Sequence, residues 1–312
     1  MIKPKSLNMN STIGIVSPSY WIDKKILKKT AKFFQELGYN IKLGKSNYLM
    51  WGPFAGTPKE RADDLNRMFN DINIDAIICA RGGYGANRVL PLLDFDLIKQ
   101  NPKIFIGYSD ITAYLTSITQ KTGLVTFHGP MLTSYKKSWV NFNYNIMKEV
   151  LSGQKNINIE IPKSLEPRIL IQGEATGPLW GGNMTLLSNR LGTVDALDTK
   201  GVILFLEDID EYLYSFERML IQMREAGMFN QINGLIIGEL TDIKDQEIGF
   251  GRTTDEIILE ICGDLNIPII SNFPCGHGKY QATLPISIES KIDTSKKNAP
   301  ITIIDSAVNT KN

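Results

Sequence analysis

Histidine is nearly absent from this chain: of 312 residues only His128 and His277 carry an imidazole. Any chemistry that needs a base titrating near neutral pH has those two to draw on. Cysteine is almost as scarce, and Cys79, Cys262 and Cys275 are odd in number and widely spaced. That pattern argues against a disulfide framework and reads as free thiols in a reducing cytoplasm. Without a Cys-x-x-Cys pair, and with so little histidine, a structural zinc site is not expected. No stretch approaches the roughly 18 uninterrupted apolar residues of a membrane span. The opening Met-Ile-Lys-Pro-Lys-Ser lacks the apolar core of a secretory signal. A cytoplasmic protein with no membrane partner is therefore expected. Charge of one sign is missing too, since the formal net charge is +1 and no Lys/Arg stripe with interleaved aromatics appears. A nucleic-acid partner is not expected on that ground.

What remains is 43% hydrophobic and 21% charged residues, the composition of an ordinary globular enzyme of one large or two medium domains. The first half alternates strand and helix. Strands are expected at 12–17, 40–43, 75–80, 103–107 and 123–127, with helices at 25–37, 57–70 and 110–120. Thr57-Pro58-Lys59-Glu60 is a capping box with proline in the first turn. Strands spaced by helices in this way imply a mostly parallel sheet. Around 155–170 the chain turns rich in Asn, Lys, Ile and Pro, so a boundary is placed there, giving domains 1–160 and 170–312. The second domain is expected to be smaller, mixed and β-rich. Strands are read at 202–206, 235–238, 267–270, 284–289 and 301–304, with helices at 215–226 and 255–262.

Ser109 is the most informative residue. It lies between the apolar run ending at Gly107 and the helix that follows. A serine on such an elbow is exposed, and adjacent backbone N–H groups at the helix start can stabilise an oxyanion. Gly107-Tyr-Ser-Asp-Ile is not the Gly-x-Ser-x-Gly of α/β-hydrolases, and an ordinary helix start with Ser109 or Asp110 as cap fits as well. A serine nucleophile needs a base. His277, between glycines after a strand, suits that role better than His128, which reads as structural. The base needs a carboxylate, and the apolar strand at 202–206 ends in Glu207 and Asp208. A cap or loop ion pair is the alternative for these acids. Ser109, Glu207 and His277 each follow a strand, Ser109 in the first domain and the others in the second, so a triad would be assembled from both. Oxyanion donors could come from Asp110 N–H and from Arg81-Gly-Gly-Tyr-Gly, whose glycines allow close backbone approach. A phosphate cradle competes for that loop but lacks the phosphate-binding spacings. Trp180-Gly-Gly-Asn183 reads as a second close-approach loop with an aromatic face. Cys275 is rejected as a nucleophile because, two residues from His277 on extended backbone, it points elsewhere.

Taken together, these segments resemble the LD-carboxypeptidase family of serine peptidases. The blocks that carry the resemblance span nearly the whole chain. They are Gly14-Ile-Val-Ser-Pro-Ser, Ala55-Gly-Thr-Pro-Lys-Glu-Arg, Arg81-Gly-Gly-Tyr-Gly-Ala-Asn-Arg, Gly107-Tyr-Ser-Asp-Ile-Thr-Ala, Phe127-His-Gly-Pro, Gly181-Gly-Asn, Phe205-Leu-Glu-Asp-Ile and Pro274-Cys-Gly-His-Gly. The resemblance implies a flavodoxin-like α/β N-terminal domain and a smaller β-rich C-terminal one, often as a homodimer, without metal or cofactor. It implies Ser109 as nucleophile, His277 as base then acid, Glu207 as its orienter, and the amides of Gly83 and Asp110 as the oxyanion hole. The implied reaction releases the terminal D-alanine of a murein tetrapeptide. The microcin-immunity branch of the family would turn the same triad on a peptidyl- or aminoacyl-nucleotide. Candidate substrate contacts are Arg81 for a terminal carboxylate, Trp180 and Asn183 for the rest of the ligand, and Glu239 for an ammonium. A non-catalytic α/β binding protein is the outside alternative, in which Ser109→Ala would change nothing.

Overall fold

The computed structural model describes residues 1–135 and 141–310. Over these the chain falls into two compact units. One comprises Met1–Gln154, Thr283–Ile286 and the C-terminal stretch from Ser306, and the other Lys155–Ala282 and Ser287–Asp305. The first unit therefore takes two late segments that the sequence boundary assigned to the second domain. The reason is hydrogen bonding: Leu284 and Pro285 pair with His128 and Phe127, and Asn309 N–H donates to the Pro4 carbonyl.

The first unit is built on strands β1 (Thr12–Val16), β2 (Asn40–Leu43), β3 (Ala76–Cys79), β4 (Ile104–Gly107), β5 (Phe127–His128) and β12 (Leu284–Pro285), in the order β12-β5-β4-β3-β1-β2. From β2 to β5 all pairs are parallel, and β12 is antiparallel on β5. The order 2-1-3-4-5 is flavodoxin-like. β3 and β4 are buried at every position, as strands of a parallel sheet covered on both faces must be. Helices α1 (Lys24–Glu36), α2 (Pro58–Asn70), α3 (Ala86–Val89), α4 (Phe95–Gln100), α5 (Thr112–Thr122) and α6 (Asn141–Leu151) complete the unit. Both halves of the Thr57/Glu60 capping box form, starting α2 where the sequence placed it. Two expectations shift. The helix read at 110–120 starts as a 3₁₀ turn, Ser109–Ile111, before α5. The strand read at 123–127 is mostly irregular, because Gly123 is the left-handed cap of α5 and regular pairing begins only at Phe127.

The second unit holds a mixed sheet in the order β6-β14-β13-β8-β9-β10-β11-β7. Its strands are β6 (Ile157–Asn158), β7 (Arg168–Ile171), β8 (Glu174–Asn183), β9 (Ile203–Ile209), β10 (Gly234–Thr241), β11 (Ile269–Gly276), β13 (Glu289–Asp293) and β14 (Ile301–Ile303). The central four, β8-β9-β10-β11, are parallel, and antiparallel strands flank them on both sides. Helices α7 (Met184–Asn189), α8 (Leu213–Glu225) and α9 (Thr254–Cys262) supply the partners of an apolar core with Leu204, Leu206, Leu235 and Ile237 from the strands, and Phe216, Leu220, Ile257 and Ile258 from the helices. Each such side chain contributes on the order of 2 kcal/mol by leaving water.

Three sequence expectations change here. Trp180-Gly-Gly-Asn183 is not a loop but the end of β8, paired with β9 from Leu179 to Asn183. Glu207 and Asp208 do not follow their strand but lie within it, since β9 keeps pairing to Ile209 against Thr241. The run read as a strand at 284–289 is two elements, β12 and β13, which belong to different sheets.

Candidate active site

In the first unit the loops after β1, β3 and β4 emerge at the carboxyl edge of the sheet, flanking the reversal of strand order where α/β proteins bind ligands. Ser109 begins directly after Tyr108 at the end of β4 and has φ 63°, a left-handed conformation rare for serine. Such backbone costs of order 1–3 kcal/mol and clusters at functional sites. The payoff is orientation: the side chain is half-exposed while Asp110 and Ile111 behind it are buried. The loop from β3 lies against it. A Cβ added at Gly82 would stand 3.0 Å from Ser109 Cβ, 3.2 Å from its Oγ and 3.4 Å from Asp110 N. Gly83 is packed as tightly against the Tyr20 ring, where an added Cβ would come within 2.4 Å. Two of the expected donors, the Gly83 and Asp110 amides, are thus on segments that meet Ser109 or its immediate neighbour.

In the second unit β9 explains how its two acids divide. With a period of two, Leu204, Leu206 and Asp208 share the face that packs on the helices, whereas Ile203, Phe205 and Glu207 share the other. Asp208 accepts from Asn183 Nδ2 at 2.9 Å, and from Thr185 N at 2.9 Å and Oγ1 at 2.8 Å. Burial first, and then the charge of Glu207, push its carboxyl up to about 6. Glu207 is fully buried, and its Oε2 lies 2.7 Å from His277 Nδ1. That contact fixes the ring and stabilises its protonated form. Burial would pull the His277 ring down, but the Glu207 charge and hydrogen bond, with Asp208 behind them, outweigh it and the net direction is up. Gly276, at φ 103°, is required here, since a Cβ would stand 2.5 Å from Glu207 Oε2.

The remaining candidates sort by what their side chains touch. Arg81 Nη1 donates to the Trp21 carbonyl at 3.3 Å and its guanidinium lies 5.5 Å from the Tyr20 ring centre. It is half-buried beside the Gly82–Gly83 loop. Trp180 is half-buried and packs against the apolar core of its unit. Asn183 is buried, caps α7 by accepting from Leu186 N, and holds Asp208. Its side chain is committed to structure, which explains its place at the strand end better than a ligand contact does. Glu239 follows a different logic. Strict alternation after Leu235 and Ile237 would send it into the core, but register breaks around Gly238 put Leu240 there instead. Such an irregularity re-aims a side chain, and Glu239 lies against Gly278, next to His277. Burial raises its carboxyl to about 7, opposed by the Tyr280 N–H it accepts. His128, read as structural, is buried in β5 with its ring 6.1 Å from that of Tyr108. Cys275 is buried, and burial first, then the nearby Glu207 and Glu239, push its thiol well up, so it stays protonated. Arg61 and Ser19, which grip the loop beside Ser109, were not singled out by sequence. Their only signal was membership in the Pro18-Ser and Glu60-Arg blocks.

A serine on a strained strand-to-helix turn in a flavodoxin-like unit, and a glutamate–histidine pair on a parallel sheet, are the equipment of a serine hydrolase. Comparison with known proteins makes this specific. Residues 13–129 match the LD-carboxypeptidase N-terminal domain, and residues 176–292 the LD-carboxypeptidase C-terminal domain. A probable murein peptide carboxypeptidase of Bacillus subtilis is 35% identical, over 96% of this chain and 94% of its own. The microcin C7 self-immunity protein MccF of Escherichia coli is 30% identical over 95% of this chain and 94% of its own. Among solved structures, MccF in complex with glutamyl sulfamoyl guanosine superposes with a TM-score of 0.91 at 27% identity, covering 99% of this chain and all of that one. The muramoyltetrapeptide carboxypeptidase from Oxalobacter formigenes gives 0.84 at 28% identity over 96% of this chain and all of that one. The chain belongs to the LD-carboxypeptidase family of serine-type peptidases.

Proposed function

We propose that this enzyme is a serine LD-carboxypeptidase that removes the terminal D-alanine from murein tetrapeptides, with Ser109, His277 and Glu207 as its triad. Ser109 Oγ attacks the carbonyl of the L-centre before D-alanine while His277 takes its proton. Glu207 holds the imidazole by Nδ1 and stabilises the imidazolium. The negative oxygen is received by the Gly83 and Asp110 amides. Collapse breaks the C–N bond, and His277 returns the proton to the departing amine. Water then attacks the acyl-enzyme, giving its proton to His277, and Ser109 is released. Arg81, on the loop that carries Gly83, meets the substrate's terminal carboxylate. The observation that carries the choice of substrate is the 35% identity to a probable murein peptide carboxypeptidase along nearly the full length of both chains.

The second reading, cleavage of an aminoacyl-nucleotide, is favoured by the structural likeness to MccF, whose solved complexes hold glutamyl sulfamoyl guanosine and aspartyl sulfamoyl adenosine. Against it stands Trp180, half-buried on the core of its unit with limited ring area for a base. The test offers purified enzyme the murein tetrapeptide and, separately, aspartyl sulfamoyl adenosine, with products read by mass spectrometry. Faster D-alanine release supports the first reading, and faster loss of the aspartyl group replaces it with the second. Inertness toward both overturns the two together.

A further inference from the structure

The first unit contains a fully buried cation and a buried anion that the proposed mechanism leaves unused. Arg61, on α2, has no exposed surface. Its Nη1 donates to the Pro18 carbonyl at 2.9 Å and to the Gly85 carbonyl at 3.2 Å. The guanidinium lies 5.1 Å from the Phe54 ring centre, while Nε and Nη2 have no hydrogen-bond partner among the described residues. Burying a guanidinium so incompletely paired is costly, and desolvation accordingly lowers its proton affinity. A leucine or methionine would fill such a site at less cost, so what Arg61 does for the two carbonyls explains why a cation occupies it.

Asp110 supplies the other half. Its carboxylate is 1% exposed and accepts from Ala86 N at 2.9 Å, from Gly85 N, and from Ser19 Oγ. Burial raises this carboxyl above the ordinary value, and these three donors and the Arg61 charge offset only part of that rise. The peptide units on either side of Gly85 are therefore gripped in opposite senses, N–H by Asp110 and C=O by Arg61. Gly85 itself sits at φ 124°, and a Cβ there would stand 2.8 Å from Arg61 Nη1. Ser19 and Pro18, on the loop after β1, close the arrangement. Tyr114 Oη donates to the same Pro18 carbonyl at 2.9 Å, and Tyr20 N–H donates to the Gly82 carbonyl at 3.3 Å.

We infer that Arg61 and the Asp110 carboxylate are positioning residues that clamp Gly85 and so fix the Gly82–Gly83 segment against Ser109. Asp110 thereby acts twice, its amide facing the oxyanion and its side chain holding the loop that carries the second donor. The inference rests on the assignment of Ser109 as nucleophile and of the Gly83 amide as donor. A donor held rigidly is worth more than the same donor on a loose loop, because its reorganisation is complete before reaction. Losing one such donor costs about 10²–10³ in kcat, and loosening it costs part of that.

The test uses the full chain and murein tetrapeptide, with thermal unfolding measured alongside. Asp110→Asn leaves one acceptor oxygen where three donors converge, and is expected to lower kcat about 10- to 100-fold with KM within about threefold. Arg61→Lys is expected to keep more kcat than Arg61→Met at matched unfolding temperatures, because an ammonium still reaches a carbonyl and a thioether does not. In a Ser109→Ala background the same changes leave the dissociation constant for the tetrapeptide unaltered. Ser19→Ala, a smaller change, serves should either larger one fail to fold, and a several-fold fall in kcat is expected. Wild-type kcat in the folded variants, or a loss expressed wholly in KM, overturns the clamp. An active Ser109→Ala overturns instead the site assignment beneath it, so the two failures are distinguishable.

Discussion

Gly82→Ala is the most local perturbation the structure offers to the proposed nucleophile. Gly82 lies outside the left-handed region, so alanine introduces no backbone strain there. Its methyl would stand 3.0 Å from Ser109 Cβ, 3.2 Å from Oγ and 3.4 Å from Asp110 N. Contacts that short force a displacement of a few tenths of an ångström. A full 1 Å misplacement costs about 10²-fold, so displacement alone costs roughly three- to tenfold. The methyl also stands in van der Waals contact with the Asp110 amide, where it can obstruct an incoming oxygen, and a donor lost outright costs about 10²–10³. The combined expectation is a fall in kcat/KM of about 10- to 100-fold. Folding should barely notice: a compatible Gly→Ala gains about 0.4–1 kcal/mol through the unfolded chain, which the tight contacts offset. The assay is steady-state D-alanine release from murein tetrapeptide, with thermal unfolding beside it. Wild-type kcat/KM in a normally folded Gly82→Ala would refute the placement of the reacting oxygen at Ser109.

Three further predictions concern the second unit. Glu207→Gln leaves His277 without its anionic partner, and kcat is expected to fall about 10³–10⁴-fold, the scale seen when the acid of a serine-protease triad becomes an amide. Because His277 works as a base when neutral and its pKa is raised by Glu207, kcat/KM of the wild type should fall on acidification below a midpoint above the ordinary 6.5. In Glu207→Gln burial prevails and the midpoint moves to lower pH; an unmoved acid limb would disconnect the pair from catalysis. Glu239 titrates near 7 in the folded chain against an ordinary 4.5. A raised acid is penalised as pH rises through its folded pKa, so Glu239→Gln should be the more stable protein at pH 8 and lose that advantage by pH 5. An unfolding-temperature difference independent of pH contradicts this assignment.

Elements whose signal is local were legible in the sequence. The capping box at Thr57, the apolar runs of β1, β3 and β4, and the turn at Ser109 all depend on residues close in the chain. Their spacing pointed to a mostly parallel sheet, and the flavodoxin-like order was what the family resemblance implied. What escaped depends on pairing between distant segments. Trp180-Gly-Gly-Asn183 looks like a loop because two glycines remove the strand signal, yet β9 supplies its ladder. Glu207 and Asp208 look like a strand's end because they are charged, yet β8 pairs as far as Glu207 and β10 carries the strand on to Ile209. The placement of Glu239 turned on a register irregularity that no pattern of single residues announces. Arg61 entered only as one residue of the block that begins at Ala55, and its complete burial is what sets it apart.

The central claim is that Ser109 is the nucleophile of an LD-carboxypeptidase reaction. Its most direct test is D-alanine release from murein tetrapeptide by the wild type and by Ser109→Ala under the same conditions, followed by mass spectrometry. The account predicts release by the wild type and a loss of at least about 10³-fold in the variant, with folding intact. Equal release by both would contradict it.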